Sequence, residues 1–458
     1  MSLPIEAPRS AFVRGLERVV DVRPGELAAL LWACAYFFCV LSSYYIFRPL
    51  REEMGVAGGV RNLPFLYTGA LLGMLAVHPP FAALVAKLPR ARFVPIAYRF
   101  FLANLLVFFI LMKTVPPDRL VWVGRVFFVW TSVFNLFVVS VFWGVMADVF
   151  RTPQGKRLFG FIGIGGTLGG IAGSAITAGF AEHLGPPNLL LISAGLLELS
   201  VLAVRRLLAA TRKFVAEEPG HPAGGDTDTV IGGSIFAGIS HVVRSPYLLA
   251  ICLYMLLFTV GSTVLYFHQA AIAGATIADS AARTAFFARL DLAVNVLTLF
   301  TQAFLTGRII KVLGLVTAII LMPALSVLGF VTLGLVPTLA VFVVFQVLRR
   351  AGEFAVARPT REVLFIVLPR EDKYKAKNFI DTFIYRAGDQ VGAWSYAAMS
   401  GLGLGMAAIS FIAAPLSLGW LLIGLWLGRR HERMAGAAAP PTAPALGTRH
   451  SALGARLP

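Results

Sequence analysis

Apolar residues fill this chain in runs of about 20, the length a helix needs to cross a hydrocarbon core about 30 Å thick. Twelve runs are read at 27–50, 63–86, 92–112, 120–146, 158–181, 188–204, 246–269, 283–306, 314–334, 338–365, 376–400 and 406–428. The pattern breaks between 205 and 245. Residues 213–229, KFVAEEPGHPAGGDTDT, are charged and rich in Gly and Pro, as in a linker. Residues 230–243 could form a short amphipathic helix on the membrane surface. After Arg433 the chain is rich in Ala, Pro and Gly, the composition of a disordered tail. The expected fold is an all-α polytopic membrane protein with twelve transmembrane helices in two six-helix bundles. Its expected parts are an N-terminal segment 1–24, a bundle 25–204, a linker 205–245, a bundle 246–430 and a tail 431–458.

Composition agrees. Of 458 residues, 58% are hydrophobic and 14% charged, against about 25% charged in soluble domains. A formal charge of +17 would suit nucleic acid, but the basic residues sit at the ends of the apolar runs and no nucleic-acid module is visible. Lys87, Arg90, Arg92, Arg151, Lys156, Arg157, Arg205, Arg206, Lys373, Lys375 and Lys377 fall on one side, and few basic residues fall on the other. That asymmetry places both termini in the cytoplasm of a bacterial inner membrane. The first two dozen residues lack an apolar core followed by a small-residue cleavage site, so no cleaved signal peptide is expected. Cys34, Cys39 and Cys252 all lie inside apolar runs, and the seven histidines show no metal-ligand spacing. Neither a metal nor a cofactor is expected.

The halves resemble each other at an offset near 220. LWACAYFFCVLSSYYIFRPLRE from Leu31 can be laid on LAICLYMLLFTVGSTVLYFHQA from Leu249, so that Cys34 meets Cys252 and Tyr36 meets Tyr254. Likewise GKRLFGFIGIGGTLGGIAG from Gly155 lies beside YKAKNFIDTFIYRAGDQVGA from Tyr374. A parallel repeat of six helices is the architecture of major facilitator transporters. The glycines at 166, 170, 169 and 173 have the small-xxx-small spacing that lets membrane helices approach closely. GIGGTLG from Gly163 is no phosphate loop, since no Lys-Ser/Thr follows it.

Charges inside the apolar runs carry the chemistry, because at that depth they face a bundle interior or a wet cavity. In the eleventh run Arg386 lies roughly 14 Å from Lys377 along a helix, near mid-membrane. Asn378, Asp381, Thr382, Tyr385, Asp389 and Gly392 should share one face by their three- and four-residue spacing. The tenth run carries Arg349, Arg350 and Glu353; Arg349 and Glu353 are spaced to pair along the helix, leaving Arg350 to seek another acid. Arg289, Asp291 and Asn295 line up along the eighth run, and Arg125 and Asn135 along the fourth. Tyr44, Tyr45, Arg48 and Arg51 lie toward the end of the first, where Pro49 should weaken the helix. The arginines either snorkel to headgroups or line a vestibule.

Guanidinium groups deep in a pore suit an anion, since they bind carboxylate or phosphate bidentately. The substrate-binding candidates are Tyr45, Arg48, Arg51, Asn135, Asn295, Arg349, Arg350, Tyr385 and Arg386. Asp291, Glu353 and Asp389 could instead carry protons. Asp148, Arg157, Arg358 and Glu362, with Arg361, look like a gate network near the cytoplasmic ends.

YYIFRPLRE, FWGVMADVF with GKRLFGFIGIGG, and DKYKAKNFID resemble the first span, the fourth-to-fifth region and the tenth-to-eleventh loop of the nucleotide transporter (ATP/ADP antiporter) family. Arg48 and Arg51 resemble a basic pair in that family whose second member is functionally important. At two positions the chain departs: Thr131 stands where the family carries an acid, and Asp389 where it carries a lysine. The resemblance implies a major facilitator antiporter, and a monomer is expected. Its expected partners are the lipid bilayer and a small anionic substrate, a nucleotide or another phosphorylated metabolite. A proton-coupled exporter of a metabolite or drug, and a membrane sensor or assembly partner without transport, are the alternatives.

Overall fold

The computed structural model describes residues 26–150, 152–216, 245–368, 376, 377 and 379–438. The N-terminal segment 1–24, most of the linker with residues 230–243, Lys373, Lys375, Asn378 and the tail beyond 438 lie outside the described residues.

Among the described residues twelve long helices follow one another: α1 (Glu26–Ala57), α2 (Leu63–Lys87), α3 (Arg90–Thr114), α4 (Pro117–Val149), α5 (Thr152–Leu184), α6 (Pro186–Ala216), α7 (Pro246–Thr276), α8 (Ser280–Phe304), α9 (Thr306–Leu335), α10 (339–364), α11 (380–401) and α12 (Met406–Ala438). Ten of them are long and apolar enough to cross a membrane. The exceptions are α10 and α11, each carrying charges and each interrupted by a π-helical turn, Glu353–Ala357 and Ile380–Ile384. The chain is a multi-pass membrane protein.

Local chemistry explains where helices begin. Prolines at 117, 186 and 246 occupy first-turn positions, where the missing N–H costs nothing. The side chains of Ser245, Asp279 and Thr338 accept from the amides of Leu248, Ala282 and Val341, capping α7, α8 and α10. Two expectations are corrected. The first run does not end at 50: helix α1 continues through Pro49 to Ala57, because the ring removes only one ladder bond and neighbouring helices hold the rest of the segment. Helix α6 continues past 204 to Ala216, since Arg205, Arg206 and their neighbours are good helix formers. In α9 the run begins at a real break: Gly314 takes φ 78°, a left-handed backbone, and kinks the helix there.

Helix α1 packs on α5 and α6, and α7 packs on α11 and α12. Glycines make the equivalent contacts close. A Cβ on Gly165 would sit 2.8 Å from the Cys34 carbonyl oxygen, and Cβ atoms on Gly169 and Gly173 would strike the backbone of Phe38 and Ser42. At the repeat-equivalent positions on α11, a Cβ on Gly388 would strike Thr259 and one on Gly392 would lie 2.8 Å from the Thr263 Cβ. The offset read in the sequence therefore reappears as two matched helix crossings.

One large apolar core lies wholly within α1–α6 and another within α7–α12. A third joins them, packing Val56, Leu63, Leu66 and Phe128 against Val264, Phe267, Ala273 and Phe287. The halves meet through α5 on α8, α2 on α11, and α1 on α7 and α8. Contacts across this seam sit toward one end: Arg283 with Glu53 at 2.8 Å, Arg289 with Glu182 at 3.1 Å, Thr68 with Gln390 at 2.9 Å, and the rings of Phe65 and Trp394. That end lies opposite the basic loops around Lys87, Arg157 and Lys377. Among the described residues, the polar pairs at the basic-loop end stay within one half, as in Glu26 with Arg157 and Glu362 with Lys377.

Candidate functional site

Between the halves lies a cavity of about 330 Å³. Among the described residues its wall is built from α1, α2, α4, α7, α8, α10 and α11, and it carries six arginines: Arg48, Arg51, Arg349, Arg350, Arg358 and Arg386. Four carboxylates share the wall: Glu52, Asp291, Glu353 and Asp389. Asn135, Ser132, Ser262, Thr263, Gln269, Gln346 and Gln390 add neutral polar groups, and Tyr67, Tyr266, Tyr385, Phe258, Phe287 and Phe354 supply rings.

Each acid is already engaged. Glu52 accepts from Arg51 at 2.9 Å and faces Arg48 at 4.0 Å. One oxygen of Asp291, Oδ1, takes both Arg48 of the first half at 3.0 Å and Arg350 of the second at 2.8 Å. Its other oxygen is buried without a hydrogen-bond partner. Asp389 accepts from Arg386 at 3.2 Å and from the Thr263 hydroxyl at 3.4 Å. Glu353 faces Arg358 at 3.8 Å and Arg361 at 3.7 Å.

Arg349 differs. It is 4% exposed, and its guanidinium donates to the Ser326 hydroxyl at 3.2 Å, the Ser262 hydroxyl at 2.9 Å and the Phe258 carbonyl at 3.2 Å. It also lies over the Phe258 ring. Among the described residues no carboxylate is within ion-pair distance of it. The expected pairing of Arg349 with Glu353 is thus corrected: Glu353 opens the π-turn, which changes the helical phase, and turns to Arg358 and Arg361. The acid that Arg350 lacked in the sequence is Asp291, from α8.

The structure gathers Arg48, Arg51, Asn135, Asp291, Arg349, Arg350, Glu353, Arg358, Tyr385, Arg386 and Asp389 on one wall. Arg48 and Arg51 neither snorkel nor sit at a rim; Arg51 stacks on Phe128 with its guanidinium carbon 3.7 Å from the ring centroid. Tyr45 stands behind the wall with Arg48 over its ring. Asn295 is buried against Gly170 on α5, away from the cavity. Arg157 pairs with the buried Glu26, and Glu362 with Lys377, both outside the cavity. Asp148 is likewise not on the wall. The expected common face on the eleventh span is also corrected. Asp381 and Thr382 are exposed within the π-turn, Tyr385 and Asp389 line the cavity, and Gly392 packs on α7. A π-turn adds a residue to the turn, so positions on either side lose their register.

Glu52 escaped the sequence reading, although its spacing from Arg48 and adjacency to Arg51 were signals for it. Gln269 and Gln346, hydrogen bonded to each other at 2.8 Å, carried no such signal.

No family model matches the chain. It is 21% identical over 434 residues to ADP,ATP carrier protein 1 of Chlamydia trachomatis, covering 80% of this chain and 81% of that protein. It is 20% identical over 440 residues to ADP,ATP carrier protein 1 of Chlamydia pneumoniae, covering 80% and 84%. Among solved structures, a bacterial homologue of the iron transporter ferroportin in an inward-facing state superposes with TM-score 0.60 at 12% identity, covering 89% of this chain and 98% of that one. An auto-inhibited POT family peptide transporter gives TM-score 0.57 at 12% identity, covering 88% and 96%. The chain is a distant relative of the first group and has the fold of the major facilitator transporters.

Proposed function

We propose that this distant relative of the ADP,ATP carriers is a secondary transporter of a small organic anion, a nucleotide or another phosphorylated metabolite. It works by alternating access, with the halves rocking about a fixed midplane site. The observation that carries this reading is the wall itself: six arginines against four carboxylates, with every carboxylate already turned to an arginine. A buried cation without a counter-charge is costly. Arg349 is held ready by hydroxyl and carbonyl oxygens, with Glu353 acting on its charge only from beyond ion-pair distance, which is what an anion site requires. The names of the relatives favour a nucleotide within that class. The basic loops favour a cytoplasmic side for both termini in a bacterial inner membrane, and with that orientation the cavity would face the cytoplasm in this conformation.

Purified protein in liposomes loaded with unlabelled anion should take up the same labelled anion in counterflow, and Arg349→Ala should reduce that uptake to background while still inserting. A panel of nucleotides, organic phosphates and carboxylates in which none is exchanged would overturn the reading.

A further inference from the structure

Among the described residues, the charges on the wall can be matched one against another, and a remainder is left. Glu52 answers Arg51, Asp389 answers Arg386 and Glu353 answers Arg358. Arg361, which stands behind the wall, shares Glu353 and also has the Asp381 charge in range. Asp291 stands between Arg48 and Arg350, so its single charge leaves one of those two unmatched. Arg349 has only neutral hydrogen-bond partners, and Glu353, already shared by Arg358 and Arg361, acts on it only from longer range. Two positive charges are left over, and both belong to one neighbourhood: Arg349 and Arg350 are adjacent on α10, and Arg48 reaches the same carboxylate from α1.

We infer that the transported anion carries two negative charges, as a phosphate monoester or a dicarboxylate does. This rests on the anion-transport reading above and narrows it, so that among nucleotides only a monophosphate fits and the di- and triphosphates in the relatives' names do not. In a low-dielectric cavity each unmatched charge is penalised far more than in water. A monoanion leaves one guanidinium unanswered. The terminal phosphates of a nucleoside di- or triphosphate bring about three or four charges, and among the described residues the wall has no cation left for the excess. A dianion alone closes the count, and it touches both halves when it does so, because the surplus is spread over α1 and α10.

The test measures binding to the detergent-purified protein by calorimetry, at about pH 8 where a phosphate monoester is fully dianionic. The probes are lactate, succinate, glycerol 3-phosphate, ADP and ATP. Succinate or glycerol 3-phosphate should bind at least about tenfold more tightly than lactate, ADP or ATP. Which of the two dianions binds better separates a carboxylate from a phosphate substrate. Arg349→Gln removes one surplus cation and should move the preference to lactate. Asp389→Asn adds one and should move it to ADP, each by about tenfold in the ratio of affinities. A preference for one, three or four charges in the unaltered protein overturns the inference, and so does the same preferred charge in all three proteins. If Arg349→Gln does not fold, Asp389→Asn and the unaltered protein decide it. Binding of no anion at all would instead remove the transport reading on which this one stands.

Discussion

Asp291 holds two guanidinium groups with one oxygen, and those groups come from different halves of the chain. Removing a partner from a buried ion pair strands the other, at a cost of about 3–5 kcal/mol. Asp291→Asn should therefore lower the melting temperature of the detergent-purified protein by several degrees. Combining it with Arg350→Gln, which removes one stranded cation, should restore at least half of the loss. Equal melting of the single and double variants would show that the two do not act as a pair. The cluster was only half legible beforehand. Asp291, Arg48 and Arg350 each stood out as charges inside apolar runs. Their partnership did not, because Arg48 and Asp291 are 243 positions apart and only the packing of α8 between the bundles unites them. Local spacing even pointed the wrong way, toward Arg349 with Glu353.

Helices were the most legible level, since a run of about 20 apolar residues has few other uses. What the runs concealed were breaks that keep an apolar composition: the π-turns in α10 and α11 and the left-handed Gly314 in α9. The glycine spacing was read correctly as close packing, and the structure supplies its partner, α1. Substituting Gly165→Val should destabilise the protein by about 1–3 kcal/mol, as overpacking does, because the new Cβ would lie 2.8 Å from the Cys34 carbonyl oxygen. Gly160→Ala on the same helix meets nothing within 4 Å and should be neutral or slightly stabilising. Thermal unfolding of the two variants side by side checks this. Similar losses in both would mean that α5 is sensitive to any change in glycine rather than to its contact with α1.

Among the described residues, the polar and ring contacts that sew the halves together gather at the end opposite the basic loops. Rocking requires that seam to open. Cysteines at Thr68 and Gln390, whose side chains are hydrogen bonded at 2.9 Å, should cross-link readily with a short bifunctional thiol reagent after Cys34, Cys39 and Cys252 are replaced. The cross-linked protein in liposomes should lose exchange, and a reducible cross-linker should return it on reduction. Exchange that continues through the cross-link would rule out opening at α2 and α11. Opening a cavity at one end and closing it at the other also has a hydraulic side. A space of about 330 Å³ is polar and roomy enough to hold many water molecules. When the opening changes ends, water taken in from one compartment is delivered to the other alongside the anion. Each turnover is then a small osmotic event as well as an electrical one. Solutes too large to enter draw water from the cavity, and they would bias the cycle toward whichever state holds less of it.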